Sequence, residues 1–269
     1  MLQSKTPKTR QEIMEQIQGF CIFDDFLMTA VFNNDPECAE VLIRTILGRS
    51  DLKVKSVHTK HYIKNLYGHS AELDIFAEDT DGNPYDIEFQ KADEGARPMR
   101  ARLYSSLMDA NIPDPGIYGD RLPESYVIFI TLNDIYKRSL PLYSVNRMIE
   151  ETGMKFEDKQ HIMYVNGQNR SDTELGRLVQ DFFCTKADEI QNRVLSEKVR
   201  FYKEDPKGVE NMMETYKDLS ELIAEEVAYD KSVEIAERLI VAGKLSVEEI
   251  AESTGLSLED VTELAKEVG

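Results

Sequence analysis

The stretch LDIFAEDTDGNPYDIEFQK, residues 73–91, constrains the fold of this chain more than any other. Two runs of alternating polar and apolar residues flank an Asp-Gly pair in it. This arrangement is typical of a β-hairpin with a tight turn. We therefore predict one strand over 71–78, a turn at Asp81 and Gly82, and a second strand over 84–91.

The predicted hairpin places two like charges close together. Side chains alternate between the faces of a strand, so Glu88 and Gln90 share one face. The turn pairs position 74 with 88 or 89, which makes Asp74 a cross-strand or diagonal neighbour of Glu88. Facing like charges destabilise a sheet. Either water screens the two carboxylates on an open face, or they bind a divalent cation such as Mg²⁺, which favours carboxylate oxygens.

Apolar periodicity and strand-forming residues predict the elements around this hairpin. They are a helix over 24–47 that breaks at 34–36, strands over 52–60, 125–132 and 161–167, and helices over 96–110 and 174–183. From the first helix to the strand SYVIFITL at 125–132, the order is helix, three strands, helix, strand. Strands and helices that alternate in this way indicate an α/β (α+β) domain.

The character of the sequence changes after about residue 185. Residues 186–242 are charged and helical in pattern, with a narrow apolar seam at Met212, Tyr216, Leu219 and Ile223. Such a seam is typical of a helix that packs on the main domain or forms a dimer contact. We therefore place a core domain at 1–185 and a helical C-terminal extension at 186–269.

The last segment, 245–269, has the outline of a helix-turn-helix. Ser246 with Glu249 forms a capping box at the start of the first helix, and Ser257 with Asp260 approximates one at the start of the second. A recognition helix needs basic or amide side chains, but residues 246–269 hold seven acidic residues and one lysine. We expect a tail for packing or self-association, with DNA binding as the alternative.

Composition limits the classes of function. No apolar run reaches the roughly 18 residues of a membrane span, and the N-terminal residues lack an apolar signal core, so we expect a cytoplasmic protein without a membrane partner. Three cysteines without a Cys-x-x-Cys pair argue against disulfides or a zinc knuckle. The net charge of −18 repels nucleic acid at long range, so any phosphodiester substrate requires a local basic surface.

The pattern of Asp74, a hairpin and then Glu88-Phe89-Gln90 resembles the PD-(D/E)-x-K nuclease superfamily. More narrowly, it is similar to the Rpn-like recombination-promoting nucleases and transposases, in which glutamine commonly stands at the lysine position. RPMRARLYSSLMDA, SYVIFIT, LGRLVQDFF and the C-terminal tail resemble further blocks of that group. The resemblance implies a restriction-endonuclease-like αβββαβ core with a mixed central sheet, and the predicted element order matches it.

The resemblance also implies roles for individual residues. Asp74 and Glu88 would bind Mg²⁺ or Mn²⁺, with the carbonyl of the residue after Glu88 as a third ligand. Gln90 stands where the superfamily's lysine positions the attacking water, but an amide brings no positive charge. Many members add an acid from the first helix, for which Glu40 is the first candidate and Asp25 the second. No proline precedes Asp74, which departs from the name-giving motif.

Basic residues cluster on the predicted helix after the hairpin. They are Arg97, Arg100 and Arg102, and Tyr104 shares a helical face with Arg100. Arginines beside a metal site can bind phosphate oxygens, which makes these four residues candidates for substrate binding. The alternative is that the arginines bind the chain's many carboxylates.

The resemblance implies an endodeoxyribonuclease of the transposase or recombination-promoting type that uses Mg²⁺ or Mn²⁺. A homodimer contact through the C-terminal helices is one of the two roles open for the extension, beside packing on the core domain. RNA stays open as a substrate. Two alternatives are a nuclease-like protein without useful activity that binds a protein partner, and a regulator that binds DNA through its C-terminal helices.

Overall fold

The computed structural model describes residues 9–64, 70–111 and 122–268, with the side chains of 217–230, 234, 259 and 266–268 outside the description. The chain divides into two compact units, residues 1–210 and 211–269. The core boundary at 185 stays a prediction from sequence. Of the apolar seam predicted in the extension, Leu219 and Ile223 lie outside the described side chains.

Helices α1 (Arg10–Gly19), α2 (Asp25–Phe32) and α3 (Pro36–Leu47) precede the sheet. The break predicted at 34–36 is confirmed, because α3 has its own cap: the Asp35 carboxylate accepts a hydrogen bond from the Cys38 N–H at 3.1 Å. The helix ends at Gly48, whose φ of 65° is the left-handed conformation that glycine adopts without strain.

The strands form a mixed sheet at the centre of the first unit. They are β1 (Val54–Ile63), β2 (Ala71–Asp79), β3 (Pro84–Gln90), β4 (Ser125–Thr131), β5 (Leu142–Val145), β6 (Met148–Ile149), β7 (Met154–Lys155) and β8 (Gln160–Asn166). Among the described residues, six strands join in the order β1-β2-β3-β4-β8-β5, and β6 pairs with β7 separately. Strands β1, β2 and β3 are antiparallel, whereas β3, β4 and β8 run parallel.

Helices cover both faces of this sheet. Helix α4 (Pro98–Asn111) lies on one face, and α2 and α3 lie on the other. Helix α5 (Glu174–Asp181) packs against α3, and α6 (Arg193–Glu204) packs against α2 and α3. On one face, Tyr104 and Met108 of α4 pack in a common core with Val127 and Phe129 of β4. On the other face, the ring of Phe89 contacts the rings of three phenylalanines from the flanking segments, Phe23, Phe32 and Phe182. The predicted α/β class and αβββαβ order are therefore confirmed.

The C-terminal part of the chain is helical, as predicted. Its helices are α7 (Pro206–Ala242), α8 (Val247–Thr254) and α9 (Leu258–Val268). Ala236, Ile250, Leu256 and Val261 form a small buried core among them. Both predicted capping boxes are present at the starts of α8 and α9. Within the described segments, no helix is both long and apolar enough to span a lipid bilayer.

Candidate active site

The turn of the hairpin is held by a buried carboxylate. Asp79 accepts hydrogen bonds from the N–H groups of Asp81 and Asn83, both at 2.9 Å, from the Asn83 amide at 3.0 Å and from the Tyr85 hydroxyl at 2.8 Å. Gly82 takes a φ of 83°, which few other residues adopt. These contacts fix the register in which Ile75 faces Ile87.

One step beyond that pair, Asp74 and Glu88 face each other and exchange hydrogen bonds with the opposite main chain. The Asp74 N–H donates to Glu88 Oε1 at 3.0 Å, and the Phe89 N–H donates to Asp74 Oδ2 at 3.0 Å. The regular backbone pairing of β2 and β3 ends at Ile75 and Ile87. Beyond that pair, the two carboxylates make hydrogen bonds to the main chain where backbone–backbone bonds would otherwise continue. The structure therefore brings the two predicted metal ligands together.

Glu88 is almost fully buried, with 1% of its side chain exposed. Its Oε2 accepts from Gln90 Nε2 at 3.0 Å and from Arg100 Nη2 at 3.4 Å. Burial, followed by the charge of Asp74, raises the pKa of Glu88 to about 7. Glu88 therefore changes its charge near neutral pH.

Asp74 has a cationic partner of its own. Lys60 Nζ lies 2.9 Å from Asp74 Oδ1 and also contacts the carboxylate of Asp25. Burial lowers the pKa of Lys60, but the two carboxylates outweigh this effect and raise it above its ordinary value. Lys60 is thus a fixed positive charge beside Asp74.

A third acid, Asp86, lies on the same face of β3 as Glu88 and Gln90, and sequence reasoning missed it. It is fully buried, and as a carboxylate it has no hydrogen-bond donor within reach. Burial, followed by the charge of Glu88, raises its pKa well above the usual range, so that it can donate a proton to Glu88. The sequence signal for Asp86 is the alternation of side chains along a strand, which places residues 86, 88 and 90 on one face.

The four predicted substrate-binding residues separate into two groups. The Arg100 guanidinium reaches Glu88 and lies 5.0 Å from the centre of the Tyr104 ring. Burial, followed by the charge of Glu88, raises the pKa of Tyr104 to about 12. Arg97 is exposed and pairs with Glu94 at 3.9 Å, and Arg102 is exposed on α4. The structure brings only Arg100 and Tyr104 to the carboxylate pair.

Glu40 is held elsewhere. Its carboxylate accepts from the Val54 N–H at 3.0 Å and pairs with Arg44 at 2.7 Å and Lys53 at 3.1 Å. Val54 and Lys60 are six residues apart on β1, or roughly 20 Å of strand. The expectation that Glu40 joins Asp74 is therefore not supported by its position, whereas Asp25 reaches Asp74 through Lys60.

The donor atoms fit a magnesium-type cation. Asp74 and Glu88 supply carboxylate oxygens, which are hard ligands of the kind that Mg²⁺ prefers. The N–H and C=O of one strand residue point to the same side, so the Phe89 carbonyl faces the side on which its N–H meets Asp74. In the described part of the chain, no three His, Cys, Asp or Glu side chains form a ready metal cluster. A cation would therefore depend on this pair, the carbonyl and water.

Comparison with known proteins identifies the family of the chain. A sequence model of the family described as PD-(D/E)XK nuclease family transposase matches residues 23–225, roughly three quarters of the chain. No curated protein and no solved structure matches the chain. The six-stranded mixed sheet of the described residues, with helices on both faces, is consistent with a restriction-endonuclease-like fold. The chain therefore belongs to the PD-(D/E)XK nuclease family transposases.

Proposed function

We propose that this protein is a DNA endonuclease that hydrolyses phosphodiester bonds with Mg²⁺ or Mn²⁺ as cofactor. The observation that carries the proposal is the paired arrangement of Asp74 and Glu88, whose carboxylates meet where the β2–β3 ladder ends. Like charges brought this close destabilise the protein unless a cation lies near them. A nuclease-type function follows from the family, and the metal and the substrate are our proposals.

Each side chain has a separate task in this proposal. A bound divalent cation would polarise the phosphodiester and lower the pKa of a coordinated water molecule. Asp74, Glu88 and the Phe89 carbonyl would hold the cation. The Gln90 amide donates to Glu88 Oε2 and fixes the direction of that carboxylate. Arg100 reaches the same oxygen from α4 and limits the accumulation of negative charge.

Because the net charge of −18 repels DNA at long range, DNA has to bind at a local basic surface. We propose that Arg97 and Arg102 contact the DNA backbone, because both are exposed near the start of α4, the helix that carries Arg100 to Glu88. Arginine suits this task because its guanidinium forms paired hydrogen bonds with phosphate oxygens. RNA has the same backbone phosphates and stays open as a substrate.

Cleavage of supercoiled plasmid tests the proposal. We expect the wild type to cut with Mg²⁺ or Mn²⁺ and to stop in EDTA, and we expect Asp74→Ala and Glu88→Ala to cut at least about 100-fold more slowly. Glu78→Ala is the matched control, because Glu78 is a β2 carboxylate that pairs with Lys55 outside the site. Cleavage that survives both site substitutions would contradict the assignment.

One observation favours an alternative function. Each carboxylate of the pair already has a cationic neighbour, Lys60 for Asp74 and Arg100 for Glu88, so these ion pairs can satisfy the site without metal. The protein would then be a nuclease-like module that binds a partner. A wild type that neither binds a divalent cation nor cuts under any metal condition would favour this alternative.

A further inference from the structure

Lys60 has an unusual backbone for a residue in the middle of a strand. Its φ of 52° lies in the left-handed region, which disfavours side chains other than those of glycine and asparagine. Its neighbours Thr59 and His61 pair with Ile75 and Leu73, so Lys60 lies opposite Asp74. Strained backbone of this kind persists where the surrounding contacts enforce it, and it is frequent at functional sites.

The Lys60 side chain runs from this position into the candidate active site. Its ammonium contacts the carboxylates of Asp25 and Asp74, one from α2 and one from β2. About a third of the Lys60 side chain is exposed, compared with 59% for Asp25 and 16% for Asp74. The ammonium therefore lies between a partly buried carboxylate and one that faces solvent, where a substrate phosphate could reach it.

Gln90 and Arg100, the other polar groups beside Glu88, already have partners in the site. Gln90 carries no charge, and its amide is bonded to Glu88. Arg100 contacts the same Glu88 carboxylate and the Tyr104 ring. Phosphodiester cleavage builds negative charge on the phosphate oxygens and the leaving group, and a positive charge fixed beside them lowers the barrier.

We propose that Lys60 supplies the positive charge that Gln90 lacks. Its ammonium, held by Asp25 and Asp74, contacts the phosphate during cleavage and stabilises the negative charge that develops there. The proposal rests on the nuclease function and adds a catalytic residue from β1, a strand distant in sequence from Glu88 and Gln90. Asp25 acts as a positioning residue, because it fixes the ammonium from the side of α2.

Two substitutions of Lys60 and one control test this role. Lys60→Met removes the charge and keeps most of the side chain, whereas Lys60→Gly removes the side chain and relaxes the left-handed backbone, which guards against a folding defect. Lys55→Met is the control, because Lys55 is another β1 lysine paired with a β2 carboxylate, Glu78 at 2.6 Å. For each protein, calorimetry gives the Mn²⁺ affinity, and single-turnover cleavage at saturating Mn²⁺ gives the rate.

The expected result is a split between the two measurements. Both Lys60 variants should bind Mn²⁺ as tightly as the wild type or several-fold more tightly, because a competing cation has left Asp74. Their cleavage rate should fall by about 100-fold, the size of effect seen when one fixed donor to a developing charge is removed. Lys55→Met should match the wild type in both measurements.

Other results would overturn the inference. Lys60 variants that cut at the wild-type rate would show that the ammonium has no part in the reaction. A fall in Mn²⁺ affinity together with a wild-type rate at saturating Mn²⁺ would make Lys60 a structural support of the metal site. An equal loss in Lys55→Met would indicate a general effect of surface charge. A wild type that binds no metal and cuts no DNA would contradict both the proposed function and the role of Lys60.

Discussion

Gln90 owes its position to the absence of a side chain at residue 95. A Cβ added to Gly95 would lie 1.9 Å from Gln90 Oε1, so the amide could not stay where it now donates to Glu88. Because the displaced atoms are the end of a flexible side chain, Gly95→Ala should change the free energy of unfolding by less than about 1 kcal/mol. Cleavage should slow by roughly 10-fold to 100-fold, because the carboxylate loses its fixed direction.

Thermal unfolding and a cleavage assay of Gly95→Ala check this prediction together. Gly19→Ala is the control, because a Cβ at Gly19 meets no atom within 4 Å. A variant with normal stability and normal activity would show that the position of Gln90 does not matter for the reaction.

The raised pKa of Glu88 makes the stability of the metal-free protein depend on pH. The pKa of Glu88 rises from 4.5 to about 7 on folding, so between these values the folded state binds a proton that the unfolded state releases. This contribution is present at low pH and is lost as the pH rises through about 7. In EDTA, Glu88→Gln should exceed the wild type in unfolding free energy by on the order of 3 kcal/mol at pH 8.

Urea unfolding of both proteins between pH 5 and pH 8 measures this effect. The difference should shrink to about 1 kcal/mol near pH 5, where Glu88 is protonated in the folded protein and the pH approaches the ordinary glutamate pKa of 4.5. A difference that is the same at every pH would mean that Glu88 does not titrate in this range.

The turn of the β2–β3 hairpin decides whether the carboxylates of Asp74 and Glu88 meet. Asp79 accepts four hydrogen bonds there and is 2% exposed. Asp79→Ala leaves these donors, including the Tyr85 hydroxyl, without their acceptor and should destabilise the protein by about 2–4 kcal/mol. Asp81→Ala, in the same turn but exposed, should cost less than about 0.5 kcal/mol. Equal urea midpoints for the two variants would show that Asp79 does not hold the turn.

The hairpin could be predicted because its determinants are local. The Asp-Gly turn and the alternating runs lie within 20 residues, and together they fix which residues face each other. The pairing of Asp74 with Glu88 followed from that register alone.

The rest of the site depends on contacts that are distant in sequence. Lys60 meets Asp74 only because β1 pairs with β2 in one register and because its backbone turns to the left-handed region. Strand alternation places Asp86 on the face of Glu88, but its complete burial depends on the packing of the folded protein and cannot be predicted from the hairpin alone. Glu40 was a reasonable candidate because it is an acid on the helix predicted before the sheet. Its carboxylate instead accepts a hydrogen bond from the N–H of Val54, the first residue of β1.

The acidity of the whole chain gives the proposed divalent cation a second role, which is to reduce the electrostatic repulsion of DNA. A net charge of −18 opposes the approach of DNA, and the candidate site adds the carboxylates of Asp25, Asp74 and Glu88 to that field. Lys60 and Arg100 offset only part of this local charge. A divalent cation held there would reduce the repulsion where a phosphate must bind. The proposed function therefore depends on whether Asp74 and Glu88 bind a divalent cation.

Calorimetric titration of Mn²⁺ at pH 8, where Glu88 is ionised, tests that claim most directly. We predict one Mn²⁺ bound per chain in the wild type and in Glu78→Gln, and affinity reduced by at least about 10-fold in Asp74→Asn and Glu88→Gln. A wild type that binds no Mn²⁺, or affinity that is unchanged in both site variants, would contradict the proposed metal site.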